Sequence, residues 1–165
     1  MDMDKVILKS LYAQWKQVKD AAQKQCEQRR LVNVAESLRY CNMFRGDETL
    51  EELASLYKTT QGTEFCLRYH FPNLATLRLF KKDRPERFGI YIDAGNITID
   101  EPKGKVLLIG RTTAVVNCSD LRNYEVVCLH QGRAIVNASG WSVVHVEAEC
   151  GCSIVRNISE NAVII

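Results

Sequence analysis

Ala114-Val-Val-Asn-Cys-Ser119 and Ala134-Ile-Val-Asn-Ala-Ser139 are two copies of a short cassette that recurs through Arg87–Ile165. Each cassette has apolar residues at alternate positions, and cassettes recur at intervals of 8 to 11 residues. Nine such cassettes occur: Phe88–Ile92, Asn96–Asp100, Lys105–Ile109, Ala114–Cys118, Glu125–Leu129, Ala134–Ala138, Ser142–Val146, Ser153–Asn157 and Ala162–Ile165. Repeats of this regularity are typical of solenoids.

Alternate cassettes resemble each other more closely than neighbours do, and the two quoted copies are 20 residues apart. This spacing predicts a coil of two strands and two turns, with 17 to 20 residues per circuit. Residues 85–165 are therefore predicted to form a single-stranded β-solenoid of about 4–5 short coils. Asn117 and Asn137 should lie one above the other, where amide side chains can hydrogen-bond along the stack.

Strand alternation predicts which side chains point inward, because successive residues of a strand face opposite sides. The first, third and fifth cassette positions hold small or β-branched residues that suit a narrow interior: Ala114, Val116, Cys118, Ala134, Val136, Ala138, Ser142, Val144 and Val146. The second position should then point outward, yet it is apolar, which predicts one stripe of Val115, Ile135 and Ile154 on one face and a second stripe of Val126, Val143 and Val163 on the other. Stacked apolar side chains on an outer surface predict a protein interface.

Residues 1–84 are predicted to be helical, which makes the chain an α+β protein. No Gly or Pro occurs before residue 46, and apolar residues recur at helical spacing from Leu8 to Ala22;. The predicted helices cover about 3–29, 33–44, 48–58, 61–69 and 73–80. Asn33 with Glu36, and Thr49 with Glu52, have the spacing of N-terminal capping boxes;.

Composition excludes several classes of protein. The net charge of +2 favours no particular partner, and no apolar run is long enough for a membrane span;. Seven cysteines without paired spacing do not form a disulfide framework or a zinc finger;. The amino-terminal segment lacks a signal peptide's layout, so we expect a cytoplasmic protein with no membrane association.

Basic residues cluster between the two regions, at Arg78, Lys81, Lys82, Arg84 and Arg87. A solvated connector is one interpretation. A patch that binds phosphate or nucleic acid is the other, but no aromatic platform or DNA-binding motif accompanies it.

Potential metal ligands are densest in His145-Val-Glu-Ala-Glu-Cys-Gly-Cys152. On a strand, His145, Glu147 and Glu149 would share one face, and Cys150 and Cys152 would follow in the turn. The chain lacks the Pro-Cys-x-x-Cys that a zinc deaminase requires, as well as P-loop, dinucleotide and Gly-x-Ser-x-Gly motifs;. We therefore predict no cofactor, no metal and no enzymatic activity; an enzyme that depends on His145 and its neighbours is the third alternative.

Three segments carry a resemblance to a known group of proteins: Arg87-Phe-Gly-Ile-Tyr-Ile-Asp-Ala-Gly95, Gly104-Lys-Val-Leu-Leu-Ile-Gly110 and Ala138-Ser-Gly-Trp-Ser-Val-Val144. The chain resembles uncharacterised bacterial proteins of the prophage and mobile-element type, which have a helical N-terminal half and a valine-rich β-solenoid. The resemblance implies this two-part architecture and an accessory role. It supplies no catalytic residue.

The function predicted from these patterns is that of a non-catalytic interaction or assembly protein. The alternative is a protein that binds a small ligand or nucleic acid through Arg78–Arg87. Because the final coil of a solenoid presents unpaired backbone groups, we expect a homo-oligomer, a dimer or trimer, with contacts in the last two coils, Ser142–Ile165. A protein partner is also expected, but its identity does not follow from the sequence.

Overall fold

The computed structural model describes residues 5–165, and the chain divides into two compact units between Leu79 and Phe80. The helical unit contains α1 (Lys5–Gln28), α2 (Val32–Arg39), α3 (Leu50–Lys58), α4 (Thr60–Tyr69) and α5 (Leu74–Leu79). The predicted start of the first helix at residue 3 lies outside the described residues. Residues 80–84, which we assigned to the helical region, belong to the solenoid unit.

The ends of the helices follow local signals. α1 ends at Gln28, close to the predicted end at residue 29, and Arg30 follows with a left-handed backbone. Thr49 and Glu52 form the predicted capping box, with a 2.7 Å bond from the Thr49 N–H to the Glu52 carboxylate. The capping box predicted at Asn33 is wrong, because α2 already begins at Val32.

The second helix is shorter than predicted and ends at Arg39. The chain leaves α2 so that Phe44 can pack its ring against Tyr12 and Trp15 of α1, with centroids 5.7 and 6.0 Å away. This aromatic cluster makes part of the core of the helical unit;.

The solenoid unit opens with two 3₁₀ turns, Phe80–Asp83 and Pro85–Phe88, and continues through nine strands. These are β1 (Ile90–Ile92), β2 (Gly95–Asp100), β3 (Val106–Ile109), β4 (Thr112–Cys118), β5 (Asn123–Leu129), β6 (Arg133–Ala138), β7 (Val143–Ala148), β8 (Ser153–Ile158) and β9 (Val163–Ile164). The predicted cassettes match these nine strands.

All strand pairs are parallel and form two sheets. The odd-numbered strands make the five-strand sheet, β1-β3-β5-β7-β9, and the even-numbered strands make the four-strand sheet, β2-β4-β6-β8. Paired residues are 17 apart in the first coil, as for Ile90 and Leu107, and 20 apart in later coils, as for Ala114 and Ala134. The predicted β-solenoid, with two strands and two turns per coil, is confirmed.

The core of the solenoid lies between the two sheets. All nine residues that we predicted to point inward are buried. The interior is narrow because alanines and a serine alternate with valines; the Ser142 hydroxyl donates to the Cys118 carbonyl oxygen at 3.0 Å. Burial raises the pKa of Cys118 and of Cys128 to about 12, so both side chains remain neutral thiols;.

Carboxylates connect successive coils at the turns. Asp93 accepts a hydrogen bond from the Arg111 N–H at 2.8 Å, and Glu160 accepts one from the Gly140 N–H at 2.5 Å. Glu101 does the same for the Ser119 N–H at 2.7 Å. These bonds satisfy backbone groups that leave the strand ladders, and they hold the turns in register.

No helix among residues 5–165 combines the length and apolar character required to cross a membrane.

Candidate interaction surfaces

The outer surface of the four-strand sheet carries one of the predicted apolar stripes. Val115 pairs with Ile135, and both are partly exposed. The next residue in the row is Val155, which is 49% exposed. Our assignment of Ile154 to this stripe is wrong, because Ile154 pairs with Ala134 and faces the core.

The second predicted stripe is also partly wrong. Val126 pairs with Val106 and Val146 and is fully buried in the core of the solenoid. Tyr124 and Cys128 point inward on the same strand, so the alternation of β5 is opposite to that predicted. Val143 and Val163 do face outward, where they pair with each other and remain partly or largely exposed.

A buried row on the outside of the five-strand sheet was not predicted. Its members alternate with the inward residues of β1, β3 and β5 and have almost no exposure: Ile90, Ile92, Leu107, Ile109, Val127 and Leu129. The sequence signal for it is the unbroken apolar run Val106–Ile109, since a strand that is covered on both sides is apolar at every position;.

An amide ladder runs along the outer surface of the four-strand sheet. The Asn117 side chain donates to Asp100 at 2.7 Å, Asn137 donates to Asn117 at 2.8 Å, and Asn157 donates to Asn137 at 2.8 Å. The predicted stacking of Asn117 and Asn137 is confirmed. The ladder has a direction: every amide donates toward the first coil, which leaves an acceptor at Asn157.

The last coil exposes side chains that would be buried in any earlier coil. Ile154, Arg156 and Ile158 of β8 lie in register with Ala134, Val136 and Ala138 of the core. Arg156 is nevertheless exposed, and Ile158 is 54% exposed. We call β8, β9 and their inward side chains the C-terminal face of the solenoid.

Backbone groups of β8 are also available at the C-terminal face. The Ser153 N–H donates to the carbonyl oxygen of Gly132, just before β6, and the Ser159 N–H donates to that of Ala138, the last residue of β6. Because alternate residues of a strand point their backbone groups to opposite sides, those of Ile154, Arg156 and Ile158 point away from β6. Within residues 5–165 no strand pairs with that side of β8.

The basic cluster is divided between the two units. Arg78 belongs to the helical unit, and the other four residues belong to the solenoid unit. Lys81 donates to the Asp93 carbonyl oxygen at 2.8 Å, and Arg84 lies 3.3 Å from the Glu86 carboxylate. The Arg87 guanidinium stacks over the Phe88 ring at 4.7 Å. Of the four, Lys81, Arg84 and Arg87 have partners within the chain.

The side chains predicted as candidate metal ligands do not come together in one site. His145 and Glu147 lie on the outer surface of β7, with 3.0 Å between Nε2 and Oε1. Glu149 does not share their face as predicted, because it lies in the following turn, where its buried carboxylate accepts a hydrogen bond from the His130 N–H. Cys150 is exposed in that turn, and Cys152 packs against the core. Across residues 5–165, no three His, Cys, Asp or Glu side chains form a group suited to a metal ion.

The most perturbed acidic group is Glu101, in the turn after β2. Partial burial opposes its ionisation, but hydrogen bonds from the Ser119 and Tyr124 hydroxyls and from two backbone N–H groups lower its pKa to about 2. Arg122 adds a contact of 3.5 Å to the carboxylate and stacks over Tyr124 at 4.7 Å. This network fixes a turn and anchors the buried Tyr124, which accounts for the shifted pKa without a catalytic role.

In comparisons with known proteins, no family model, curated protein or solved structure matches the chain.

Proposed function

We propose that this chain is a non-catalytic interaction or assembly protein that associates with a second copy of itself through its last two coils, Ser142–Ile165. The observation that carries the proposal is the C-terminal face, where Ile158 faces inward yet is exposed and β8 has an unpaired edge. Exposed strand edges bind other strands, and burial of apolar area contributes about 25 cal/mol per Å².

The rest of the geometry supports a rigid scaffold in preference to an enzyme. Several carboxylates of the solenoid connect turns, as Glu101 and Glu160 do. The outer surface of the four-strand sheet presents its side chains in straight rows, with about 4.8 Å between successive strands. A partner protein could be recognised on these rows, of which Val115 and Ile135 form the apolar part.

The proposal includes a cytoplasmic setting and an accessory role in a phage or mobile element. All seven cysteines are free thiols, including the exposed Cys150, which is consistent with a reducing compartment;. The accessory role is supported only by the resemblance described above.

Self-association can be tested by light scattering with size-exclusion chromatography on the intact chain over a range of micromolar concentrations. We expect an oligomer that Ile158→Asp dissociates. Leu121→Asp is the control, because Leu121 is 83% exposed in a turn away from the C-terminal face and should leave the oligomer unchanged.

A monodisperse monomer at every concentration would contradict the proposal. Salt-dependent binding of mixed oligonucleotides by the unmodified chain would favour the alternative function, through Arg78–Arg87.

A further inference from the structure

We infer that two copies of the chain pair their β8 strands antiparallel across a two-fold axis at Val155, which closes the C-terminal face. This inference rests on the proposed self-association and specifies its geometry. It depends on four features of β8: the direction of its backbone groups, its alternation, the position of Arg156 and the unfilled acceptor of Asn157.

Backbone geometry allows the pairing. Ile154 and Arg156 point their N–H and C=O groups at the open side of β8, whereas Val155 points its groups at β6. With the axis at Val155, Ile154 of one copy and Arg156 of the other form hydrogen-bonded pairs on both sides of the axis. The two Val155 residues then form the central non-hydrogen-bonded pair, as antiparallel ladders require.

Alternation restricts the register. Inward residues must remain opposite inward residues, so the axis passes through a residue and not between two residues. Only axes at Val155 or Arg156 overlap most of β8, which spans Ser153–Ile158. The other axes leave much of the edge unpaired.

Charge selects between these two registers. An axis at Arg156 would place two guanidinium groups directly opposite each other, which is unfavourable. The axis at Val155 places Arg156 opposite Ile154 of the second copy.

The amide ladder favours the same register. Asn157 donates to Asn137, and its own carbonyl oxygen is the acceptor left at the end of the ladder. With the axis at Val155, Asn157 faces Ser153 of the second copy, whose hydroxyl can donate to that oxygen. If copies instead stacked head to tail, the Asn157 oxygen would meet Asp100 of the next copy, and a carboxylate cannot donate a hydrogen bond to it. A closed dimer is therefore favoured over an open filament.

Disulfide trapping tests the axis directly. In a Cys150→Ser background, which removes the exposed native thiol, Val155→Cys should form a covalent dimer under mild oxidation. The Cα atoms of a non-hydrogen-bonded pair are about 4.5 Å apart, within the range that a disulfide spans. Ile135→Cys is the control, because it lies on the same outer surface one strand away from the edge.

Cross-linking of Ile135→Cys as strongly as Val155→Cys would overturn the inference in favour of face-to-face packing of the four-strand sheets. Absence of a Val155→Cys cross-link in a chain that still dimerises would also overturn it, and the proposed function would stand. A chain that is monomeric throughout contradicts both.

A proline substitution tests the edge hydrogen bonds. Arg156→Pro removes an N–H that points at the open side and none that bonds to β6, so the fold should be retained;. We expect it to abolish the dimer in sedimentation velocity, while Arg156→Val keeps the dimer. Both variants are folded if they have the same far-ultraviolet circular dichroism spectrum and the same melting temperature. Equal dimerisation of two folded variants would show that the β8 edge is not used.

Discussion

Asn137 lies in register with Asn117 on the neighbouring strand and donates a 2.8 Å hydrogen bond to its side-chain oxygen. This pair is the centre of a ladder that continues to Asp100 on one side and Asn157 on the other. Because the bonds join successive coils, the ladder fixes the register of the four-strand sheet in addition to its backbone bonds.

The ladder should contribute to stability in proportion to the bonds removed. Within one chain, Asn137→Ala removes two ladder hydrogen bonds and Asn157→Ala removes one, and each contributes about 0.5–1.5 kcal/mol;. We expect the larger decrease in the free energy of unfolding for Asn137→Ala, measured by urea denaturation. Asn96→Ala, on the same outer surface but outside the ladder, is the control. Equal effects of Asn96→Ala and Asn137→Ala would mean that the ladder adds nothing.

The narrow interior should not tolerate a larger side chain. Ala138 is buried in register with Cys118 and Ile158, so Ala138→Leu overpacks the core and should cost about 1–3 kcal/mol or more;. Asn137→Gln changes a neighbouring side chain by one methylene, but on the outer surface. We expect a clearly larger fall in melting temperature for Ala138→Leu. Similar falls for both variants would contradict the inward and outward assignment of β6.

The outer surface of the five-strand sheet should respond differently to a charge on β5 and on β7. Val127 and Val143 both point outward, but Val127 is buried and Val143 is partly exposed. An unpaired carboxylate at a buried position costs several kcal/mol, so Val127→Asp should abolish folding or greatly lower the melting temperature. Val143→Asp should melt close to the unmodified chain. Thermal melts followed by circular dichroism test this, and equal tolerance would mean that the row around Val127 is not covered.

Stability should depend on the ionisation of Glu101 at acidic pH. Its folded-state pKa of about 2 lies below the ordinary value of 4.5, so the carboxylate stabilises the fold at pH values above 4.5;. That contribution is lost as the pH falls from 4.5 toward 2. Glu101→Gln should be less stable than the unmodified chain at pH 7, by about 1–3 kcal/mol for bonds to a charged group.

Urea denaturation at pH 7 and at pH 2.5 provides the measurement. The difference between the two proteins should shrink at the lower pH. A difference that is constant across this range would contradict the role assigned to the carboxylate.

The sequence alone determined the coil and its period. The 20-residue match between Ala114–Ser119 and Ala134–Ser139 predicts two strands per coil, and it also predicts the stacking of Asn117 on Asn137. These features are local and repeated, so each copy of the cassette reinforces the same interpretation. The helical region was equally evident, since no Gly or Pro interrupts it before residue 46.

Only the tertiary structure decided which face each ambiguous strand turns inward. In β5 the run Val126–Leu129 is apolar at every position, and in β8 the apolar residues Ile154 and Val155 are adjacent. Alternation alone therefore does not show which of these residues point inward. The strand pairing shows this, because Val126 stacks on the inward residue Val106 and Ile154 stacks on the inward residue Ala134. Which residues of a strand point inward depends on how the strand is aligned with its neighbours, because shifting a strand by one residue exchanges its two faces. For the same reason the exposed inward residues of the last coil became visible only when β8 was aligned with β6.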